Sequence, residues 1–254
     1  MKTALLVVSF GTTHLDTMEK TISATEAALA AAFPECPVYR AFTSAAVRKT
    51  LEKRFDIHID SIGEALQRIT GDGYERVIVQ PTLLIPGVEY DKLCAAVEAS
   101  AGGLQAIVGK PLLYCEQDMD ALIDALWRAY PVDEDAILLL MGHGTGHSAN
   151  GLYIRMVEKM QSLPMRLCTV EGTPSFADVA EELSALSCKK VRLAPMLFVA
   201  GDHAKNDMAG DEPDSLCSLL KARGYQVECI LRGLGELTDV QRDRKSTRLN
   251  SSHD

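Results

Sequence analysis

Short apolar runs alternate with amphipathic stretches along the whole chain. Runs at 3–9, 38–42, 76–80, 104–108, 136–141, 166–170, 190–194 and 225–231 read as strands. Most are continuously apolar rather than alternating, the pattern of parallel strands covered on both faces. Between them the apolar spacing turns helical. Met18, Ile22, Leu29 and Phe33 fall on one face, as do Phe176, Val179, Leu183 and Leu186. Asp16-x-x-Glu19 and Ser175-x-x-Asp178 read as capping boxes opening these two helices. Strand–helix–strand repetition predicts an α/β fold, parallel sheets flanked by helices and joined by right-handed crossovers.

The pattern also repeats. LLVVSFGTTH at 5–14 matches LLLMGHGTGH at 138–147, and RVIVQPTLLIPGVE at 76–89 matches KVRLAPMLFVAGDH at 190–203. The offset is 133 in the first pair and 114 in the second, so the first half carries extra sequence between its motifs, around 45–60. Two similar α/β domains are expected, 1–132 and 133–242, with an active cleft between them. Residues 243–254 lack apolar periodicity, and the string DRKSTRLNSSH resembles a translated adapter oligonucleotide. This tail is expected to be non-native. The native sequence would then run to near Arg242, with a final helix starting at Leu237 cut short.

Composition narrows the partners. A net charge of -9 leaves no surplus of Lys and Arg for neutralising nucleic-acid phosphates. The seven cysteines form no CxxC pair, which fits reduced thiols and excludes zinc-ribbon spacing. The N-terminal apolar run is too short for a signal peptide, and no run reaches the ~18 residues of a membrane span. A cytoplasmic protein without nucleic-acid or membrane partners is expected. The oligomeric state stays open, a homo-oligomer included.

Parallel α/β sheets bind ligands outside the carboxyl ends of their strands, where the repeat places four equivalent loops. Matching loops differ in their chemistry: Phe10 stands opposite His143, and Glu89 opposite His203. His143 lies between two glycines, which lets the backbone approach a ligand and leaves the imidazole uncrowded. Glu89 opens a helix, where the dipole favours a carboxylate; alone it reads as an ordinary first-turn acid. Glu171 ends the strand at 166–170 and is a further candidate. His14 and His147 occupy matching positions and read as polar groups at helix starts. Asp202 and Asp207 flank His203 and read as caps rather than as its partners. Two imidazoles and a carboxylate suit a borderline divalent ion. No dinucleotide fingerprint follows the first strand, since SFGTT has one glycine.

At these residues the sequence resembles the anaerobic sirohydrochlorin cobaltochelatases of cobalamin biosynthesis, members of the class II chelatases. The resemblance runs from about Lys2 to Leu237, through VVSFGT, AFTS, GVEYDKL, MGHG, VEG and PMLFVAGDHAKNDM. It implies insertion of Co2+ into a sirohydrochlorin-type tetrapyrrole, with no cofactor beyond that substrate metal. It also implies that His143, Glu171 and His203 are metal ligands, that His143 accepts a proton, and that Glu89 is the acid on the other wall. Phe10, Gly11 and Gly87 are expected beside the substrate. Histidine titrates near neutrality and suits both roles. Three protein ligands leave positions open for passing the ion onward. Iron or nickel insertion into the same tetrapyrrole, or a carrier without turnover, are the alternatives. The substrate's many carboxylates call for cations, and Arg48, Lys49, Lys53 and Arg54 form the densest basic cluster; a solvated helix face explains them equally well.

Overall fold

The computed structural model describes residues 1–246. Contacts divide the chain into two compact units, the first built from Met1–Tyr114 with the helix that begins at Thr238, the second from Cys115–Leu237.

The first unit holds β1 (Thr3–Ser9), α1 (Leu15–Met18), which runs through a π-helical segment (Glu19–Ser23) into α2 (Ala24–Ala32), β2 (Val38–Phe42), α3 (Ala45–Phe55), α4 (Ile62–Gly71), β3 (Arg76–Pro81), α5 (Val88–Ser100) and β4 (Gln105–Val108). The second holds α6 (Glu116–Ala129), β5 (Ala136–Gly142), α7 (Gly151–Met160), β6 (Met165–Thr169), α8 (Phe176–Ser184), β7 (Lys190–Pro195), a π-helical turn (His203–Met208), α9 (Leu216–Ala222) and β8 (Gln226–Cys229). α10 (Thr238–Ser246) closes the described chain and packs on α2 of the first unit.

Each unit contains one four-stranded parallel sheet, in the orders β2-β1-β3-β4 and β6-β5-β7-β8. Parallel strands need crossovers, and the helices supplying them cover both faces. Central strands are accordingly buried along their length: Leu5, Leu6, Val7 and Val8 in β1, Leu138, Leu139 and Leu140 in β5. Apolar helix faces complete two cores. Ile62, Leu66, Ile69 and Leu93 pack on the first sheet, and Val179, Leu183, Cys217 and Leu220 on the second.

Register confirms the internal repeat. Val8 pairs with Ala41 and Pro81, and Met141 pairs with Cys168 and Pro195 at the matching rung. The longer first half is explained by α3, since α8 alone joins β6 to β7 whereas α3 and α4 both lie between β2 and β3.

Two details differ from the sequence pattern. Helix α1 starts two residues earlier than the Asp16 box requires. His14 takes the N-cap position because its N–H donates to Thr12 Oγ1 at 3.1 Å, closing the loop there. The Ser175–Asp178 box does form, Asp178 Oδ2 accepting from Ser175 N at 2.8 Å. The units part after Tyr114 rather than at 132/133, because α6 lies with the second unit. There Arg155 and Lys159 of α7 pair with its Glu116 and Asp120.

The expected non-native tail falls at 243–254, of which 247–254 lie outside the described residues. All seven cysteines are free thiols. No helix among the described residues is long and apolar enough to cross a membrane.

Candidate functional site

In a 2-1-3-4 order the chain reverses its direction of travel across the sheet between the first and third strands, and the crevice outside their carboxyl ends is where such sheets bind ligands. In the second unit this is the end of β5 and β7. Gly142 ends β5 with no room for a side chain, since a Cβ there would lie 2.7 Å from the Tyr153 ring. Gly144 has φ +75°, and its Cβ would fall 1.6 Å from the Glu171 carbonyl oxygen. The backbone is thus pressed on both sides, and the imidazole of His143 is the one side chain the segment 142–144 projects. Two bonds fix this loop to the end of β6: Val170 N–H donates to Gly142 O at 3.1 Å and Glu171 N–H to His143 O at 2.7 Å.

Beneath the loop sits Tyr153, buried, and burial pushes its phenol up to about 12 against the opposing pull of backbone contacts with Gly144 and His143. Asn150 braces the same region, its Oδ1 accepting from Thr145 N at 3.1 Å and its Nδ2 donating to Thr173 O at 2.8 Å.

His203 begins the π-helical turn after β7, the kind of local irregularity that accompanies functional positions. The rings of His143 and His203 are edge-to-face, centroids 4.8 Å apart and planes at 88°. The Nδ1 of each ring is specified by its neighbour. His143 Nδ1 lies 2.9 Å from Gly144 O, and a carbonyl only accepts, so Nδ1 carries the proton and the Nε2 lone pair is free. His203 Nδ1 lies 2.5 Å from Asp207 Oδ2, which fixes its tautomer the same way. Asp207 is therefore the partner of His203, not a helix cap; the four-residue spacing within HAKND is the signal that identifies it. Asp202 takes the N-cap position of the turn without a side-chain capping bond.

The first unit repeats the scaffold with other side chains. Thr43 N–H donates to Ser9 O at 2.9 Å and Ser44 N–H to Phe10 O at 3.2 Å, the counterparts of the Val170 and Glu171 bonds. Phe10 projects where His143 does and is half exposed, 49%. Gly11 has φ +101°, and its Cβ would meet the Phe42 ring at 2.5 Å. Gly87 is the N-cap of α5, and Glu89 lies in that helix's first turn. Its two oxygens accept from Thr43 Oγ1 and Lys92 Nζ, each at 2.7 Å, so the carboxylate ties the first turn of α5 to the residue that follows β2. Thr43 was not legible as its partner, because the pair is far apart in sequence.

His14 and His147 both stand at helix starts, and each donates its N–H to a threonine two residues back, Thr12 and Thr145, at 3.1 Å. His147 Nδ1 also accepts from Ala149 N at 3.1 Å, a cap.

Glu171 is tied to His143 through its backbone, while its side chain is exposed. Among the described residues the one cluster of three potential ligands with all donor atoms within 4.8 Å is His58, Asp60 and Glu64. Those acids are already engaged. Asp60 takes a two-pronged contact from Arg68 at 2.8 and 2.9 Å, and Glu64 accepts from Ser61 N at 2.7 Å in a capping box.

Residues 3–243 match the family model described as cobalt chelatase (CbiK). The chain is 38% identical over 240 residues to the sirohydrochlorin cobaltochelatase of Salmonella typhimurium, covering 93% of this chain and 91% of that one. It is 34% identical over 242 residues to the sirohydrochlorin cobaltochelatase CbiKC of Nitratidesulfovibrio vulgaris, covering 92% and 85%. Among solved structures, SirB from Bacillus subtilis with Fe3+ is similar at a TM-score of 0.65 and 17% identity, over 96% of this chain and 93% of that one. CbiX, described as the terminal enzyme for siroheme biosynthesis in denitrifying bacteria, is similar at 0.56 and 17% identity, over 99% and 100%. At those identities the two structures speak for the fold alone. The sequence matches go further: the chain belongs to the cobalt chelatase (CbiK) family.

Proposed function

We propose that this protein is a cytoplasmic sirohydrochlorin cobaltochelatase, inserting Co2+ into a sirohydrochlorin-type tetrapyrrole on the route to cobalamin. The observation that carries the reading is the pair His143 and His203, rings 4.8 Å apart, each with Nδ1 hydrogen-bonded and Nε2 left for a ligand. Imidazoles that bind metal through one nitrogen commonly donate from the other to a carbonyl or carboxylate, and here one does each.

Insertion needs the ion to shed water and two pyrrole protons to leave. His143 and His203 hold the incoming ion through Nε2, and Glu171 is assigned as the third ligand. Its backbone N–H is bonded to His143 O, and its side chain is exposed. Few protein ligands and a water-accessible carboxylate keep the ion transferable, whereas a closed four-ligand cage would retain it. His143 then serves as acceptor for a pyrrole proton once the ion moves to the macrocycle. Glu89, held by Thr43 and Lys92, is assigned as the second proton-handling group. Phe10 offers an exposed ring for stacking on a flat macrocycle, and Gly11 and Gly87 are assigned to the loops beside it.

The test is spectroscopic. Sirohydrochlorin with Co2+ should show accelerated metal uptake in the presence of the protein, with Fe2+ and Ni2+ run alongside. Uptake of cobalt no faster than in buffer, despite tight tetrapyrrole binding, would leave a carrier rather than an enzyme.

A further inference from the structure

We propose that α3 is a carboxylate-binding platform, its cations Lys49, Lys53 and Arg54 gripping the acidic rim of the tetrapyrrole; this rests on the function proposed above. Three observations on the helix point the same way. First, the side chains of Lys49, Thr50, Lys53 and Arg54 line a groove of about 390 Å³. Second, Lys49, Lys53 and Arg54 are exposed and have no carboxylate partner among the described residues, although the chain as a whole is acidic by nine charges. Their neighbour Arg48 is paired, to Glu64 at 3.6 Å. In a protein with acids in excess, three adjacent cations left without partners make a local field that attracts an anion.

Third, α3 is joined directly to the candidate site of its unit. Its N-cap Ser44 donates to Phe10 O at 3.2 Å, and the residue before it, Thr43, donates to Glu89 at 2.7 Å. At 1.5 Å per residue, positions 49 to 54 lie about 8 to 15 Å along the helix from Ser44, a span comparable with the macrocycle's own width. The helix is also the insertion that breaks the repeat, for the second unit has no counterpart between β6 and its single crossover helix α8. A macrocycle bordered by carboxylates on every side needs cations along one edge, and this helix supplies them at i, i+4 and i+5 spacing. Recognition is by charge and position, so porphyrins with few carboxylates should bind independently of it.

The experiment uses fluorescence titration of the whole protein with two probes: uroporphyrin, which carries carboxylates around its full rim, and protoporphyrin, whose carboxylates occupy one edge only. The Lys49→Gln/Lys53→Gln/Arg54→Gln variant alters three solvent-facing side chains, and its thermal midpoint should stay at the wild-type value. It should bind uroporphyrin about tenfold more weakly, at roughly two- to threefold per exposed charge pair. Protoporphyrin affinity should change less than twofold, and the uroporphyrin difference should shrink as salt screens the contacts. A charge-keeping Lys49→Arg/Lys53→Arg variant should bind both probes as the wild type does. Unchanged uroporphyrin affinity in the Gln variant, or an equal loss for both probes, overturns the assignment.

Cobalt insertion into sirohydrochlorin, measured in parallel, separates the two claims. Wild-type protein that fails to insert cobalt but shows the uroporphyrin difference removes the enzymatic reading and keeps the platform. Wild-type insertion with an unaltered KM in the Gln variant removes the platform alone.

Discussion

Where β1 ends the first unit presents Phe10, and where β5 ends the second presents His143. The backbone around each is held by the same pair of inter-strand bonds, from Thr43 and Ser44 in one case and Val170 and Glu171 in the other. After the third strand the first unit places Glu89 in an ordinary α-helical turn, while the second places His203 in a π-helical one. At these loops the scaffold is shared to the level of individual hydrogen bonds, so their divergence lies in side chains and in one local winding of the helix. A duplicated fold has kept its means of positioning a loop and changed what the loop carries.

The sharpest way to break this comparison is to remove the imidazole. His143→Ala should lower the rate of cobalt insertion about a thousandfold, the scale of losing a positioned acid–base group, with circular dichroism unchanged. Phe10→Ala at the matching position should raise KM severalfold and leave kcat near wild type. Equal effects on kcat from both would mean that the loops do not differ in role.

The glycines come next. Gly144→Ala places a Cβ 1.6 Å from a backbone oxygen at φ +75°, where no rotamer gives relief. It should destabilise the protein by about 3 kcal/mol, at the upper end for a strained residue, read from denaturant midpoints. Gly11→Ala meets the Phe42 ring instead, and a side chain can shift where backbone cannot. Its cost should be smaller, about 1–2 kcal/mol.

Alkali should separate the units by a third route. Burial pushes the phenols of Tyr130 and Tyr153, both in the second unit, up to about 12. A phenol whose folded pKa lies above its unfolded value near 10 favours the folded state while protonated. That contribution is complete below pH 10 and is lost as pH rises to about 12. Each group should forfeit on the order of 2–3 kcal/mol across that window. In the first unit the raised phenol is Tyr39, which is more open to solvent and donates to Asp72, so its share is smaller. Hydrogen exchange followed from pH 9 to 12 should show the second sheet opening first.

A smaller effect on the chemistry than that of His143→Ala should come from Asp207→Asn. It keeps a hydrogen bond to His203 but loses the carboxylate, and cobalt affinity should fall about tenfold, as for other partners of metal-binding imidazoles. Asp202→Asn leaves the Asp207 bond to His203 in place, and cobalt affinity should fall by less. Comparable losses from both would point to net charge rather than to ring orientation.

The strands were legible because both faces of each sheet are covered, leaving uninterrupted apolar runs such as LLVV and LLLM. The repeat was legible because register in a parallel sheet preserves loop position, so that Phe10 and His143 align before any coordinates are known. Less visible were contacts set by local winding. The four-residue spacing of His203 and Asp207 puts both on one face of a helix, but with Asp202 on the other side of the imidazole it did not by itself separate a partner from a cap, and the Asp16 box failed because Thr12 closes the preceding loop. Thr43 and Tyr153 act through space on residues distant in sequence, and nothing in composition announces such pairs. Arg48 reads as one of four clustered cations, yet the structure sets it apart by its bond to Glu64.

The two helices that follow the last strand of each sheet have a further consequence. α6 comes after β4 and belongs to the second unit, while α10 comes after β8 and belongs to the first. A gene dissected at the midpoint of the repeat would therefore yield two fragments, each deprived of one of its own covering helices or burdened with a stray one. Permuted chains that start at α6 and append residues 1–114 after α10 would keep both sets whole, and they are the better starting point for asking what one ancestral half could do.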